Sequence, residues 1–104
     1  MADLGVFYKG ISKIFNVTIT YNGSNPDISS DTVTFYLHDE DDTEVLSEEA
    51  DVATSGASGI AIFNLTPTEL DLDSDSYICT ILWETGDDKH ILHKGRVDML
   101  PNVV

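Results

Sequence analysis

The stretch that decides the fold is Gly59-Ile60-Ala61-Ile62-Phe63-Asn64-Leu65, then Thr66-Pro67-Thr68-Glu69-Leu70-Asp71-Leu72-Asp73-Ser74-Asp75, then Tyr77-Ile78-Cys79-Thr80-Ile81-Leu82-Trp83. Two alternating apolar runs flank a short polar segment that carries a proline and four acids. Period-two alternation is the signature of a strand with one face buried, and a polar corner followed by an inward tyrosine is how β-sandwiches pass the chain from sheet to sheet. Phe63 and Leu65 are expected inside with Tyr77, Cys79, Ile81 and Trp83. Ile60, Ile62, Ile78 and Leu82 then fall on the outer faces. Either a bulge returns part of that set to the core, or another protein chain covers it.

Working outward, Phe15-Asn16-Val17-Thr18-Ile19-Thr20-Tyr21 alternates strictly, with Phe15, Val17, Ile19 and Tyr21 on one face. Asn22-Gly23-Ser24-Asn25-Pro26-Asp27 is turn chemistry, because Asn-Gly tolerates positive φ and Pro26 bars a central strand. Thr32 to Leu37 resumes the alternation with Val33, Phe35 and Leu37 inward, and it stops at the acidic loop from His38 to Thr43. Glu44-Val45-Leu46 reads as a short edge strand, Ser47 to Ala50 as the start of one helical turn, and the segment to Ser58 as loop with an edge strand around Val52. Thr85 to Asp88 is a hairpin loop, and His90 to Asp98 its return strand. These elements predict an all-β, immunoglobulin- or fibronectin-like β-sandwich of six to seven antiparallel strands. It occupies 1–104 as one domain, with the termini 1–10 and 99–104 as candidate interaction arms.

Charge narrows function. Nineteen acids oppose five bases for a formal net charge of −14, and no Lys or Arg occurs between Ile14 and Asp88, a stretch holding seventeen of the acids. Such a surface repels phosphate backbones and anionic lipid, since nucleic-acid affinity comes largely from Lys and Arg displacing counterions. Apolar runs are far shorter than the ~20 residues of a membrane span, and the N-terminus lacks a basic-then-apolar leader. The chain is expected to be made in a cytoplasm. The single cysteine, Cys79, lies at an inward strand position and is expected to be a buried, inert thiol.

Catalytic patterns are thin. There is no nucleophile elbow, phosphate-cradling loop or zinc-spaced Cys/His cluster. His90 and His93, three apart on a strand, are expected on opposite faces. Asp71-x-Asp73-x-Asp75 imitates an EF-hand opening, but Ser76 stands where that loop needs Gly and Leu82 where it needs Glu, so the turn reads as Asx hydrogen bonding, with calcium there or at Asp39 to Asp42 as the minority alternative. No catalytic, cofactor or metal residue is assigned.

The pattern as a whole has a family likeness. Phe15-x-Val17-x-Ile19-x-Tyr21, the Gly23 to Pro26 turn, Asp31 to Leu37, Gly59-x-x-x-Phe63-x-Leu65-x-Pro67-x-x-Leu70, Tyr77-x-x-x-Ile81-x-Trp83 and Gly95-x-Val97 resemble the small immunoglobulin-like domains of tailed-bacteriophage virions. The likeness is strongest to the N-terminal domain of baseplate upper proteins and to tail, neck or decoration accessory proteins. The unusual acidity departs from that pattern. The resemblance implies a non-enzymatic virion protein without cofactor, assembled in the host cytoplasm, that contacts other structural proteins in many copies. The contact residues are expected among Phe7, Tyr8, Lys9, Ile11, Lys13, Lys94, Arg96, Met99, Leu100, Val103 and Val104, because the two ends carry all five bases and apolar side chains that the sandwich does not obviously need. A different class, a carbohydrate-binding or adhesion module, would instead expose Trp83, Tyr36, Tyr21 or Tyr8 for stacking.

Overall fold

The computed structural model describes residues 6–72 and 76–100. Seven strands are found there: β1 (Val6–Tyr8), β2 (Lys13–Thr18), β3 (Thr32–His38), β4 (Glu44–Glu49), β5 (Ile60–Leu65), β6 (Ser76–Thr85) and β7 (Asp88–Leu100), with one 3-10 turn at Gly56–Ser58. They form a five-stranded sheet in the order β1-β7-β6-β3-β4 and a two-stranded sheet of β2 and β5. The run β7-β6-β3-β4 opposite β2-β5 follows the strand order of immunoglobulin-type sandwiches.

The alternation sets which residues fill the space between the sheets. On β6, Tyr77, Cys79, Ile81 and Trp83 are buried, and on β5 Ala61, Phe63 and Leu65. Val17, Val33, Phe35 and Leu37 complete the centre. Phe35 anchors an aromatic cluster, with ring centroids 5.9 Å from Phe7, 5.8 Å from Phe15 and 6.0 Å from Phe63. Each such pair adds roughly 0.5–1.5 kcal/mol beyond the area it buries.

Four expectations are corrected. The strands are not all antiparallel: β1 runs parallel to β7, pairing Val6 with Asp98, Phe7 with Met99 and Tyr8 with Leu100. After Tyr8 the chain bends, with Gly10 N–H donating to Leu70 O, and β2 begins in the other sheet. Ser47 to Glu49 continues β4 instead of starting a helix, because pairing with β3 supplies its backbone partners. Around Val52 there is only an isolated bridge, Asp51 to Ile62, before the 3-10 turn. Finally, the strand that starts at Lys13 ends at Thr18, and Tyr21 is exposed, since the Asn22-Gly23 turn closes a small loop between Tyr21 and Ser24.

The bulge lies on β7. Ile81 pairs with His93 and Leu82 with Ile91, so Leu92 is the additional residue. It packs against the core from the side. β6 keeps its phase, and Ile78 and Leu82 therefore face away from the core, as do Ile60 and Ile62 on β5.

Candidate interaction surface

Three of the aspartates build turns. Asp39 Oδ1 accepts the Asp41 and Thr43 backbone N–H groups, each at 2.9 Å, which folds the acidic loop back on itself. Asp27 accepts Ser29 N–H and Oγ, and Asp51 accepts Ala53 N–H, Thr54 N–H and Thr54 Oγ1. The hydroxyl donors first, then the backbone donors, hold the Asp27 and Asp51 carboxyls below the usual range. Among the described residues no group of three or more His, Cys, Asp or Glu is placed to hold a metal ion. Asp73 and Asp75 lie outside the described residues.

One acid points into the sandwich. Glu48 pairs across β4 with the core residue Phe35, which sets it on the inner side of an edge strand, where it meets Glu69. The Glu69 hydrogen bond, then burial and repulsion from Glu69 and Glu49, pushes its carboxyl up to about 7. Glu69 is held below its ordinary value, first by the Glu48 proton, with Thr66 N–H and Oγ1 also donating to it at 3.0 Å. Below about pH 7 the two carboxyls share a proton that resides on Glu48, and the pair carries one negative charge. An acidic pair turned inward at a sheet edge also discourages pairing with a foreign strand.

Cys79 is fully buried, and burial pushes its thiol up to about 12, so it supplies no thiolate nucleophile near neutral pH. The bulge at Leu92 overturns the expectation for the histidines: His90 pairs with Trp83 and His93 with Ile81, both inward residues. His90 stacks near Trp83, ring centroids 5.0 Å apart. Trp83 itself is only 5% exposed, and its indole N–H donates to Asp31 Oδ2 at 2.9 Å.

The expected contact residues separate into groups. Phe7 and Met99, 1% and 2% exposed, are core residues: β1 is a strand of the sandwich and not a free arm. Lys9 is engaged within the chain by Asp71, at 3.2 Å, and by Leu72 O. Lys13 sits over the Phe7 ring, 5.0 Å from its centroid. Lys9 N–H donates to Leu100 O at the end of β7, roughly 20 Å along the strand from Lys94. Tyr8, Ile11 and Leu100 are exposed, Tyr8 and Leu100 side by side, while Lys94 and Arg96 stand on the outer face of β7. Val103 and Val104 lie outside the described residues.

What the sequence did not single out is the outer face of the large sheet as a unit. Register places Ile78 beside His38 and Arg96, Thr80 beside Tyr36 and Lys94, and Leu82 beside Thr34 and Ile91. Ile91 is 61% exposed and Ile78 37%. Ile78 and Arg96 also border a hollow of about 300 Å³ whose rim includes Asp39, Glu40 and Asp42. Knowing that Ile91 joins this face required the Leu92 bulge, which the alternation alone does not reveal.

The amino-acid sequence matches no protein-family model and no curated protein sequence. Among solved structures the chain is similar to the N-terminal domain of phage TP901-1 ORF48, with a TM-score of 0.52 and 10% identity over 96% of this chain and 85% of that one. The likeness is one of fold. It joins the strand order above in making this chain an all-β sandwich of the kind found in a phage protein.

Proposed function

We propose that this chain is a non-enzymatic structural subunit of a bacteriophage virion, placed at the tail, baseplate, neck or capsid, and that it acts through contacts with neighbouring virion proteins. The observation that carries the reading is the outer face around Ile78, Leu82 and Ile91, an apolar strip on an otherwise acidic sandwich whose fold resembles a phage domain. Monomers that work alone seldom leave such a strip uncovered. Tyr8, Ile11 and Leu100 extend the proposed contact region, and Lys94 and Arg96 supply its positive charge. Phe7 and Met99 contribute by holding β1 to β7. Of the aromatics the sugar-binding alternative would use, Trp83 is buried and hydrogen-bonded to Asp31, while Tyr21 and Tyr8 are exposed.

The test is incorporation. Tagged protein expressed during phage growth should copurify with particles, and the double variant Ile78→Glu, Ile91→Glu, which leaves the core untouched, should enter them at least tenfold less. A folded wild-type protein that never enters particles refutes the proposal.

A further inference from the structure

Over the three rows from Ile78 to Leu82 the outer face of the large sheet has its charges sorted by strand, and the sorting makes this part of the face complementary to itself; Asp98 on β7 and Glu84 on β6 lie in the rows beyond it. On β7 the outward positions include Lys94 and Arg96; on β4, at the opposite margin, they are Glu44, Ser47 and Glu49. Between them, β6 and β3 present Ile78, Thr80, Leu82, Tyr36 and His38, with Thr34 in the same face but nearly covered. Lys94 has no ion pair among the described residues, and Glu44 and Glu49 have none either. Arg96 is 3.7 Å from Asp98 and also reaches Ser76, and both side chains of its ion pair remain more than half exposed. Such an exposed pair contributes little and gives way readily to a better-placed carboxylate.

We infer that two copies of this chain pair face to face through this surface, about a two-fold axis that lies in the interface parallel to the strands between β6 and β3. Rotation about that axis turns the second copy over and reverses its strand order, so β7 of each copy lies over β4 of the other. The register then decides the contacts. Arg96 and Glu44 share one row, and so meet between copies; Lys94 falls between Glu44 and Glu49 of the facing copy. Ile78 lies over His38, Thr80 over Tyr36, Leu82 over the nearly covered Thr34, and Ile91 over Glu49, where only the aliphatic stem of the glutamate suits it, each contact made twice as an isologous interface requires. The alternative axis, perpendicular to the strands, would stack β7 on β7 and β4 on β4, setting like charges together. Charge therefore selects one orientation, to within the roughly 30° by which twisted sheets cross.

The size of the face sets the strength. Four strands at about 4.8 Å spacing and about nine residues at about 3.4 Å give a face of roughly 19 by 30 Å, or roughly 1,200 Å² buried when both copies are counted. That is the lower end of specific interfaces, and a net charge of −14 on each copy opposes association. The pair should be weak in free solution, with a Kd on the order of tens of micromolar, and strengthened where an assembly holds the copies close.

This inference deepens the structural-subunit reading by naming one neighbour, and it rests on that reading only for where the pair is used. Sedimentation velocity of the full chain at near-physiological salt, from about 10 to about 500 µM, should show a concentration-dependent monomer–dimer equilibrium. Lys94→Glu with Arg96→Glu, and separately Glu44→Lys with Glu49→Lys, should each weaken dimerisation at least tenfold, since each sets like charges at both margins. An equimolar mixture of the two variants should recover it as a heterodimer, because each margin again faces its opposite. A wild type that stays monomeric throughout, a variant that dimerises like wild type, or a mixture no tighter than its components overturns the inference. Should that happen while the protein still enters particles, only the pairing surface is lost; failure to enter particles strikes the subunit reading instead.

Discussion

Gly59 and Gly86 both hold positive φ, at 77° and 58°, yet replacing each by alanine should have different consequences. Gly86 opens the two-residue turn between Thr85 and Asp88, and a Cβ there would meet nothing within 4 Å. Its substitution costs only the left-handed penalty of an L-residue, roughly 1–2 kcal/mol. Gly59 follows the 3-10 turn and leads into β5, with its N–H on Gly56 O at 2.9 Å and its carbonyl accepting Ile19 N–H at 2.8 Å. A Cβ there would lie 3.1 Å from Ile19 O, Pro26 O and Asn25 Cβ. The first two are backbone atoms, and Ile19 is itself held by Gly59, so relief requires moving the chain that links β2 to the rest of the sandwich. Overpacking of this kind adds roughly 1–3 kcal/mol. Gly59→Ala should thus cost roughly 2–5 kcal/mol in total, against roughly 1–2 for Gly86→Ala. In a chain this size each kcal/mol lowers Tm by roughly 4–8 °C, so the two variants should be separated clearly. Urea unfolding followed by Trp83 fluorescence measures both midpoints, and comparable slopes would show that the same surface is exposed in each. Equal losses in the two variants would refute the reasoning, since the contacts around Gly59 would then add nothing to the backbone penalty.

Trp83→Ala should cost roughly 3–5 kcal/mol through lost burial and a residual cavity, while Trp83→Phe, which forfeits the indole bond to Asp31 and part of the volume, should cost roughly 1–3 kcal/mol; a Trp83→Ala variant within error of wild type in chemical unfolding would mean the side chain is not part of the core. Stability should also pass through a maximum in mildly acidic solution. Glu48, raised in the folded state, contributes fully below its unfolded value near 4.5 and loses that contribution as pH rises through about 7. Asp27 and Asp51, lowered by their turn hydrogen bonds, contribute above 3.8 and lose it as pH falls further, and Glu69 acts in that same direction. Tm measured from pH 3 to 9 should therefore fall on both sides, and Glu48→Gln should flatten the alkaline side alone; an unchanged alkaline slope in that variant would show that the Glu48–Glu69 pair is not its source.

Which parts of this molecule can be read from its sequence follows from how each is encoded. β5 and β6 are legible because alternation is local: Ile60 to Leu65 and Tyr77 to Trp83 each carry enough periods to fix their own phase, and the structure keeps it. Phe7 and Met99 are not, because β1 has three residues, too few to show a period, and its burial depends on a parallel pairing with residues more than ninety positions away. A short apolar segment at a chain end looks the same whether it is a tail or a strand. His90 and His93 fail for the opposite reason: their strand is obvious, but one additional residue at Leu92 reverses the phase between them, and nothing in the residue types announces it. The candidate surface combines both difficulties. Lys94 and Arg96 are conspicuous in a chain with five bases, and the apolar outer positions of β6 follow from alternation. Their relation to Glu44 and Glu49 does not, since it exists only once β3 and β6 have been inserted between β7 and β4. Sorting of charge by strand is a property of sheet order, and sheet order is set by non-local contacts that also make such folds slow to form. A sequence read element by element supplies the residues of this surface, but their arrangement into two opposed margins about an apolar strip, which is what selects one pairing orientation over the other, comes from the topology.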